Sequence, residues 1–263
     1  WPISKPAGPS PDRHMKLSII TAAYNRAETI QRAIKSVQTQ THGSVEHILV
    51  DGNSSDGTQD RIKAALRGTE VFISEPDKGV YDALNKGIAL ATGDAIAFLH
   101  SDDIYADPTV LEKVAARFAE SDADIVYGDA AFFNAPDVDT TVRRYRSTAP
   151  TRRNLAYGKM PAHPAMFIKT SVYRDVGPFK IDYKIAGDYE QLCRMAARMT
   201  ITSSYIPEVL VKMQTGGLST AGIGATIRLN REVMRGLREN NIYSNYAMLL
   251  SKYPKKLLGL VAK

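Results

Sequence analysis

Between Leu17 and Tyr127, short apolar runs alternate with stretches of helical period, and that alternation restricts the chain to a sheet layered with helices. Leu17 to Thr21, Val45 to Val50, Val71 to Ile73, Ala95 to Leu99 and Asp124 to Tyr127 read as buried strands. Between them, Ile30, Ala33, Ile34 and Val37, then Ile62, Ala65 and Leu66, then Tyr81, Leu84 and Ile88 mark the inward faces of three helices. A fourth helix is predicted over Val110 to Ala119, opened by Pro108. Asn25 stands three residues before Glu28, the spacing of a capping box for the first helix. The fold class that follows is α/β, with a Rossmann-like, mostly parallel central sheet and helices on both faces. The second half is less regular. It predicts a hairpin of Ala130 to Asn134 with Thr141 to Tyr145 around Pro136 and Asp137, a strand over Ala165 to Ile168, and helices over Ser171 to Val176, Asp188 to Ala197 and Gly224 to Asn240.

A chain of 263 residues with 44% hydrophobic and 24% charged residues has room for one large domain or two small ones, and its composition excludes disordered and fibrous classes. The single cysteine, Cys193, lies in an apolar helical pattern, which predicts a buried thiol and a reducing compartment. No apolar run reaches the roughly 18 residues of a spanning helix, and the first residues lack the apolar core of a signal peptide, so a cytoplasmic location is expected. Residues 1–14 hold four prolines, show no periodicity and precede Met15, which reads as a disordered leader or an appended remnant.

The net charge of +6 is carried entirely by the stretch from Arg228 to the C-terminus, so the first 227 residues are neutral. Two readings of that basic end stand open. Apolar residues between its charges would let Asn245 to Lys263 lie on an anionic membrane surface; alternatively, it is a solvated helical face packed on the domain. Nucleic acid is not an expected partner, because no basic stripe with interleaved aromatics occurs in the neutral body.

In an open α/β sheet, ligands bind beyond the carboxyl ends of the strands. The first strand is followed there by Tyr24 and Asn25, the second by Asp51, Gly52, Asn53, Ser54, Ser55 and Asp56, and the fourth by His100, Ser101, Asp102 and Asp103. Any one of these loops reads equally well as a cap or a turn, but three on one rim point to a site. Adjacent carboxylates at the end of an apolar strand repel unless a cation lies beside them, so Asp102 and Asp103 predict a divalent metal, Mn²⁺ or Mg²⁺, shared with a diphosphate. No GxGxxG and no glycine-rich loop with its lysine follows the first strand, which removes dinucleotide dehydrogenases and P-loop enzymes.

The strings SIITAAYNRAETIQRAIKSVQTQT, VEHILVDGNSSDGT and SEPDKGVYDALNKGIALATGDAIAFLHSDD, followed by HPAMFIK and KIAGDYEQLCRM, resemble family 2 glycosyltransferases of the GT-A fold. The resemblance runs from about Lys16 to Gln214 and is nearest to bacterial members that assemble exopolysaccharide, capsule or O-antigen. It implies a metal-dependent inverting transferase that moves a sugar from a nucleotide diphosphate donor, a UDP-sugar favoured, to an acceptor hydroxyl on a saccharide or lipid-linked saccharide. It also implies a catalytic domain over 15–220, with a nucleotide half over 15–130 and an acceptor half over 131–220, and a basic helical extension over 221–263. Position by position, it implies that Tyr24 stacks on the base and that Asp51 is the first acid of a DDGS-like motif whose second acid is here Gly52. Asp102 falls near ribose and diphosphate, Asp103 at the metal, and Asp188 at the catalytic base of an ED-like motif whose first acid is here Gly187. His163 would face donor sugar or acceptor. An arginine that many relatives carry near Leu84 is missing, leaving Lys78, Asp82, Asn85 or Lys86 to reach the diphosphate. Two rival functions share these features: a nucleotidyltransferase, and a non-catalytic module that binds nucleotide or sugar.

Overall fold

The computed structural model describes residues 15–216 and 223–251. The expected leader, 1–14, and the basic end, 252–263, lie outside them. In chain order the first half holds β1 (Leu17–Ala23), α1 (Ile30–Gln38), β2 (Val45–Asp51), α2 (Thr58–Ala65), β3 (Val71–Ser74), α3 (Val80–Leu90), β4 (Ala95–Phe98), β5 (Ile104–Tyr105) and α4 (Val110–Glu120). The second half holds β6 (Ile125–Asn134), β7 (Asp137–Tyr145), α5 (Arg152–Ala156), β8 (Met166–Lys169), α6 (Thr170–Val176), α7 (Gly187–Arg198), β9 (Ser203–Gln214), α8 (Ile223–Glu239) and α9 (Tyr246–Leu250).

One sheet runs in the order β3-β2-β1-β4-β8-β6-β9-β5, with β7 paired to the end of β6. Its first four strands are parallel, with Leu17 opposite Val45 and Ala95, and Ile48 opposite Val71. Beyond β4 the sheet is mixed: β8 enters antiparallel between β4 and β6, while β9 runs parallel to β6. β1 and the C-terminal half of β2 are buried on both faces, as central strands covered by helices must be. On one face Ile20, Ile48, Ile96 and Phe98 pack against α3, α6, α7 and α8; on the other Ile19, Ala97 and Val126 pack against α4. Cys193 is buried in the first of these layers, and burial pushes its thiol up. Val233, Met234 and Leu237 of α8, with Ile242 and Leu249, belong to the same core.

Two departures from the sequence reading bear on the site. Asn25 is not a helix cap: it adopts a left-handed backbone (φ 52°), and α1 starts only at Ile30, after Thr29. The loop's amides are satisfied across the rim instead. Asn25 N–H donates to Ser54 Oγ (2.8 Å), Arg26 N–H to Thr58 Oγ1 (2.7 Å) and Ala27 N–H to Asp56 Oδ2 (3.0 Å). The second departure is β9, which no periodicity announced because Pro207 and Glu208 interrupt it. Its pairing with β6 shifts register near Gly128, where a Cβ would stand 2.4 Å from Leu210 Cγ, so only glycine lets the strands approach.

Candidate active site

The rim begins at the ends of β1 and β2. Tyr24 is 61% exposed, and a side chain at Gly52 would start 3.2 Å from its ring and 2.4 Å from Asp77 Oδ2. An aromatic face and a carboxylate thus meet over a residue with no side chain. Asp77, which the sequence reading missed, is held there by accepting Gly79 N–H (2.8 Å). Its signal was the missing side chain at position 52. Asp51 is buried, and its oxygens accept Ser54 N–H (3.0 Å), the Ser54 hydroxyl and the Ser74 hydroxyl (2.7 Å). Its carboxylate therefore shapes the loop beneath Tyr24. Of the substitutes for the missing arginine, Asp82 accepts Lys78 N–H (3.0 Å), Asn85 pairs with the Phe179 backbone, and Lys86 reaches Pro76 O (2.8 Å) and Glu75 (2.9 Å). Lys78 has an exposed side chain.

After β4 the two aspartates differ. Asp102 is half-buried, while Asp103 is 2% exposed and accepts only Gln214 N–H (3.2 Å), through Oδ1. Its Oδ2 is buried without a hydrogen-bond partner. Burial, and then the charge of Asp102, hold the Asp103 carboxyl well above the usual carboxylate range. Arg32 from α1 ties the neighbourhood together: it donates to the Asp102 carbonyl (3.2 Å) and to Gln214 Oε1 (2.5 Å), and lies 5.1 Å above the Phe133 ring. A cleft of about 410 Å³ opens here, lined by Asn25, Arg26, Thr29, Asp56, Asp102 and Gln214 among others. An orphaned buried carboxylate oxygen fits a hard divalent cation, whose charge would relieve the cost of burying the ionised group. No group of three or more His, Cys, Asp or Glu able to hold a metal occurs among the described residues, and water or a ligand would fill the remaining positions around a cation here.

Asp188 lies at the start of α7, behind Ala186 at the cap position. It is half-buried, and its Oδ1 accepts Tyr189 N–H (2.8 Å) and lies 3.4 Å from the Tyr81 hydroxyl. That hydroxyl donates to Ile185 O (2.7 Å) and accepts Gly187 N–H (2.8 Å). Gly187 is required, since a Cβ would come within 2.7 Å of the Tyr81 ring. Burial pushes the Asp188 carboxyl up to about 6, against the opposing bond from Tyr189 N–H. His163 stacks on Phe98 (5.1 Å between centroids) and approaches His100 (5.6 Å), and burial pushes it down to about 3, so it is neutral. Phe179 touches His163, Phe98 and Tyr81, and so links the β4 rim to the Asp188 turn.

Comparison with known proteins bears on the family and the fold. Residues 18–177 match the model of glycosyl transferase family 2. An uncharacterized glycosyltransferase of Mycobacterium tuberculosis (strain CDC 1551) is 34% identical over 184 residues, 68% of either chain. A PGL/p-HBAD biosynthesis glycosyltransferase of Mycobacterium bovis is 32% identical over 207 residues, 77% of this chain and 78% of that one. Among solved structures, residues 1–349 of S. aureus TarS in complex with UDP-GlcNAc superimpose with a TM-score of 0.68 at 20% identity, covering 90% of this chain and 71% of that one. The chain spans 39% of a longer TarS structure. A mannosyltransferase of Pyrobaculum calidifontis in complex with GDP-Man and Mn²⁺ gives a TM-score of 0.65 at 18% identity, covering 92% and 69%. The chain belongs to glycosyl transferase family 2 and carries that family's GT-A fold.

Proposed function

We propose that this glycosyltransferase moves a sugar from a UDP-sugar to an acceptor hydroxyl, with a divalent metal and with inversion at the anomeric carbon. The observation that carries the reading is the buried Asp103 with its orphaned oxygen, set beside Asp102 on the same rim as Tyr24. In this reading Tyr24 stacks on the base, Asp77 and the loop shaped by Asp51 read its edge, and Asp102 lies along ribose and diphosphate. Lys78, at the head of the Asp82-capped loop, reaches the diphosphate. Asp103 would hold Mn²⁺ or Mg²⁺, which when bound neutralises charge on the departing diphosphate. Asp188 takes the proton of the acceptor hydroxyl as that oxygen attacks the anomeric carbon. One carboxylate suffices for such a single displacement, and Gly187 leaves no acid next to it in sequence. His163, neutral on its aromatic stack, faces the donor sugar as a hydrogen-bonding group. A neighbour in complex with UDP-GlcNAc and another with GDP-Man and Mn²⁺ support the donor class and the metal.

Nucleoside diphosphate release from a panel of UDP- and GDP-sugars, with and without Mn²⁺, tests the reading. Metal-dependent release from one donor supports it. Pyrophosphate release from a nucleoside triphosphate and a sugar phosphate would instead identify a nucleotidyltransferase, and binding without turnover a binding module.

The acceptor we propose is a lipid-linked saccharide, met at the cytoplasmic membrane surface through the basic end of the chain. No helix among the described residues is long and apolar enough to cross a membrane. Arg152 donates to Asn241 O (2.8 Å) and Ser244 to Ala156 O (2.6 Å), which sets α5 beside the segment leading into α9. Tyr243 and Tyr246 there are 80% and 49% exposed, and no acid follows Glu239 or occurs between Asp139 and Asp175. At about 1 kcal/mol for each basic residue near an anionic surface, Lys252, Lys255, Lys256 and Lys263 would add reversible, salt-sensitive attachment. Changing these four to Gln should reduce sedimentation with anionic vesicles at low salt. Equal sedimentation of parent and variant would contradict the membrane role.

A further inference from the structure

We propose that Glu232 of α8 is a positioning residue for Asp188, holding from a distant helix the turn that aims the carboxylate into the site. This inference rests on the reading of Asp188 as the base.

Three successive backbone amides converge on the Glu232 carboxylate. Ala186 N–H (2.9 Å) and Ile185 N–H (2.8 Å) donate to Oε2, and Lys184 N–H lies 3.1 and 3.2 Å from the two oxygens. These amides lead into α7, whose N-cap residue, Ala186, makes no side-chain cap hydrogen bond. A carboxylate there also meets the positive end of the helix dipole. From the opposite side the Tyr81 hydroxyl takes Ile185 O and Gly187 N–H. The turn from Lys184 to Gly187 is thus gripped between α3 and α8, and Asp188 is the next residue.

Glu232 is not consumed by packing α8. Among the described residues it forms no ion pair, although α8 is otherwise fastened by charge. Lys180 bridges Glu190 (2.9 Å) and Glu239 (2.7 Å), Arg235 meets Asp182 and lies 4.4 Å over Tyr183, and Asn240 reaches Glu190 (3.3 Å). Gly236 seats directly on Glu190, where a Cβ would be 3.3 Å away. These contacts fix the register of α8, which delivers Glu232 to the turn. The family match ends at residue 177, so both Asp188 and its brace lie beyond it. Glu232 also places a negative charge near Asp188. The ionisable groups facing Asp188 are Tyr81 from α3, Tyr145 from β7 and Glu232 from α8.

The test compares Glu232→Gln and Glu232→Ala with the parent for kcat, donor KM and the pH profile of kcat/KM. Misplacing a catalytic group by about 1 Å costs on the order of 100-fold, so E232A should lose roughly 10- to 100-fold in kcat with donor KM unchanged. E232Q keeps the shape and one acceptor oxygen but removes the charge. Its loss in kcat should be smaller, and its acidic limb should move to lower pH, a shift that a purely structural contact would not produce. Parental kcat and an unmoved limb in E232Q would overturn the proposal, even if E232A fails to fold. Asp188→Asn, run beside them, separates the two claims. An active D188N removes the base itself, whereas an inactive D188N with a parental E232Q removes only the brace.

Discussion

Replacing Asp103 by Ala should abolish transfer and remove the Mn²⁺ dependence of nucleoside diphosphate binding. The side chain is buried, its Oδ2 has no protein partner, and burial and Asp102 both oppose its ionisation. In the proposed function, a cation shared with a diphosphate would make that arrangement favourable, and such charge stabilisation is worth several kcal/mol, or on the order of 10³ in rate. Asp103 accepts one protein hydrogen bond, from Gln214 N–H, so the substitution removes little that the fold needs. Calorimetry should show UDP binding to the variant with the same affinity with and without Mn²⁺. Metal-enhanced binding that survives in the variant would defeat the assignment.

Asp188→Asn should keep donor affinity and lose transfer by roughly 10²- to 10⁴-fold, the usual contribution of a general base. The amide retains the shape and can still accept Tyr189 N–H, so α7 should start unchanged. As the proposed base, the same carboxylate should set a pH dependence. Its folded value is raised to about 6, and a base works only when deprotonated, so parental kcat/KM should fall tenfold per pH unit as pH drops below about 6. D188N should show a small residual rate without that limb. Transfer within tenfold of the parent would exclude Asp188 as the base.

Much of this molecule is legible in its sequence where local pattern and tertiary demand agree. The parallel half is such a case: apolar strands and helices with Ile30, Ala33, Ile34 and Val37 inward can only stack one way. The rim residues followed from that topology, because Tyr24 follows β1, Asp51 ends β2 and the Asp102–Asp103 pair lies in the loop after β4, three strands adjacent in the sheet. What escaped was set by partners far along the chain. Asn25 has the spacing of a cap, but the loop amides found Ser54, Thr58 and Asp56 across the rim, and α1 began later. β9 was hidden because Pro207 and Glu208 break its alternation, and a strand paired to β6 through a register shift needs no clean period. Gly52 and Gly187 read as losses from the family pattern. In the fold each makes room, for Asp77 and for the Tyr81 ring, and the carboxylate on the Asp188 turn arrives from Glu232 on α8.

The central claim is that this rim performs one metal-assisted displacement with Asp188 as its only base, and proton NMR of donor consumption in real time tests it most directly. With Mn²⁺ and an α-linked UDP-sugar, the first sugar signal to appear, as transfer product or as hydrolysed sugar, should be the β anomer, and neither D103A nor D188N should produce it at a comparable rate. An α anomer appearing first, or β product formed at the parental rate by either variant, would contradict the account.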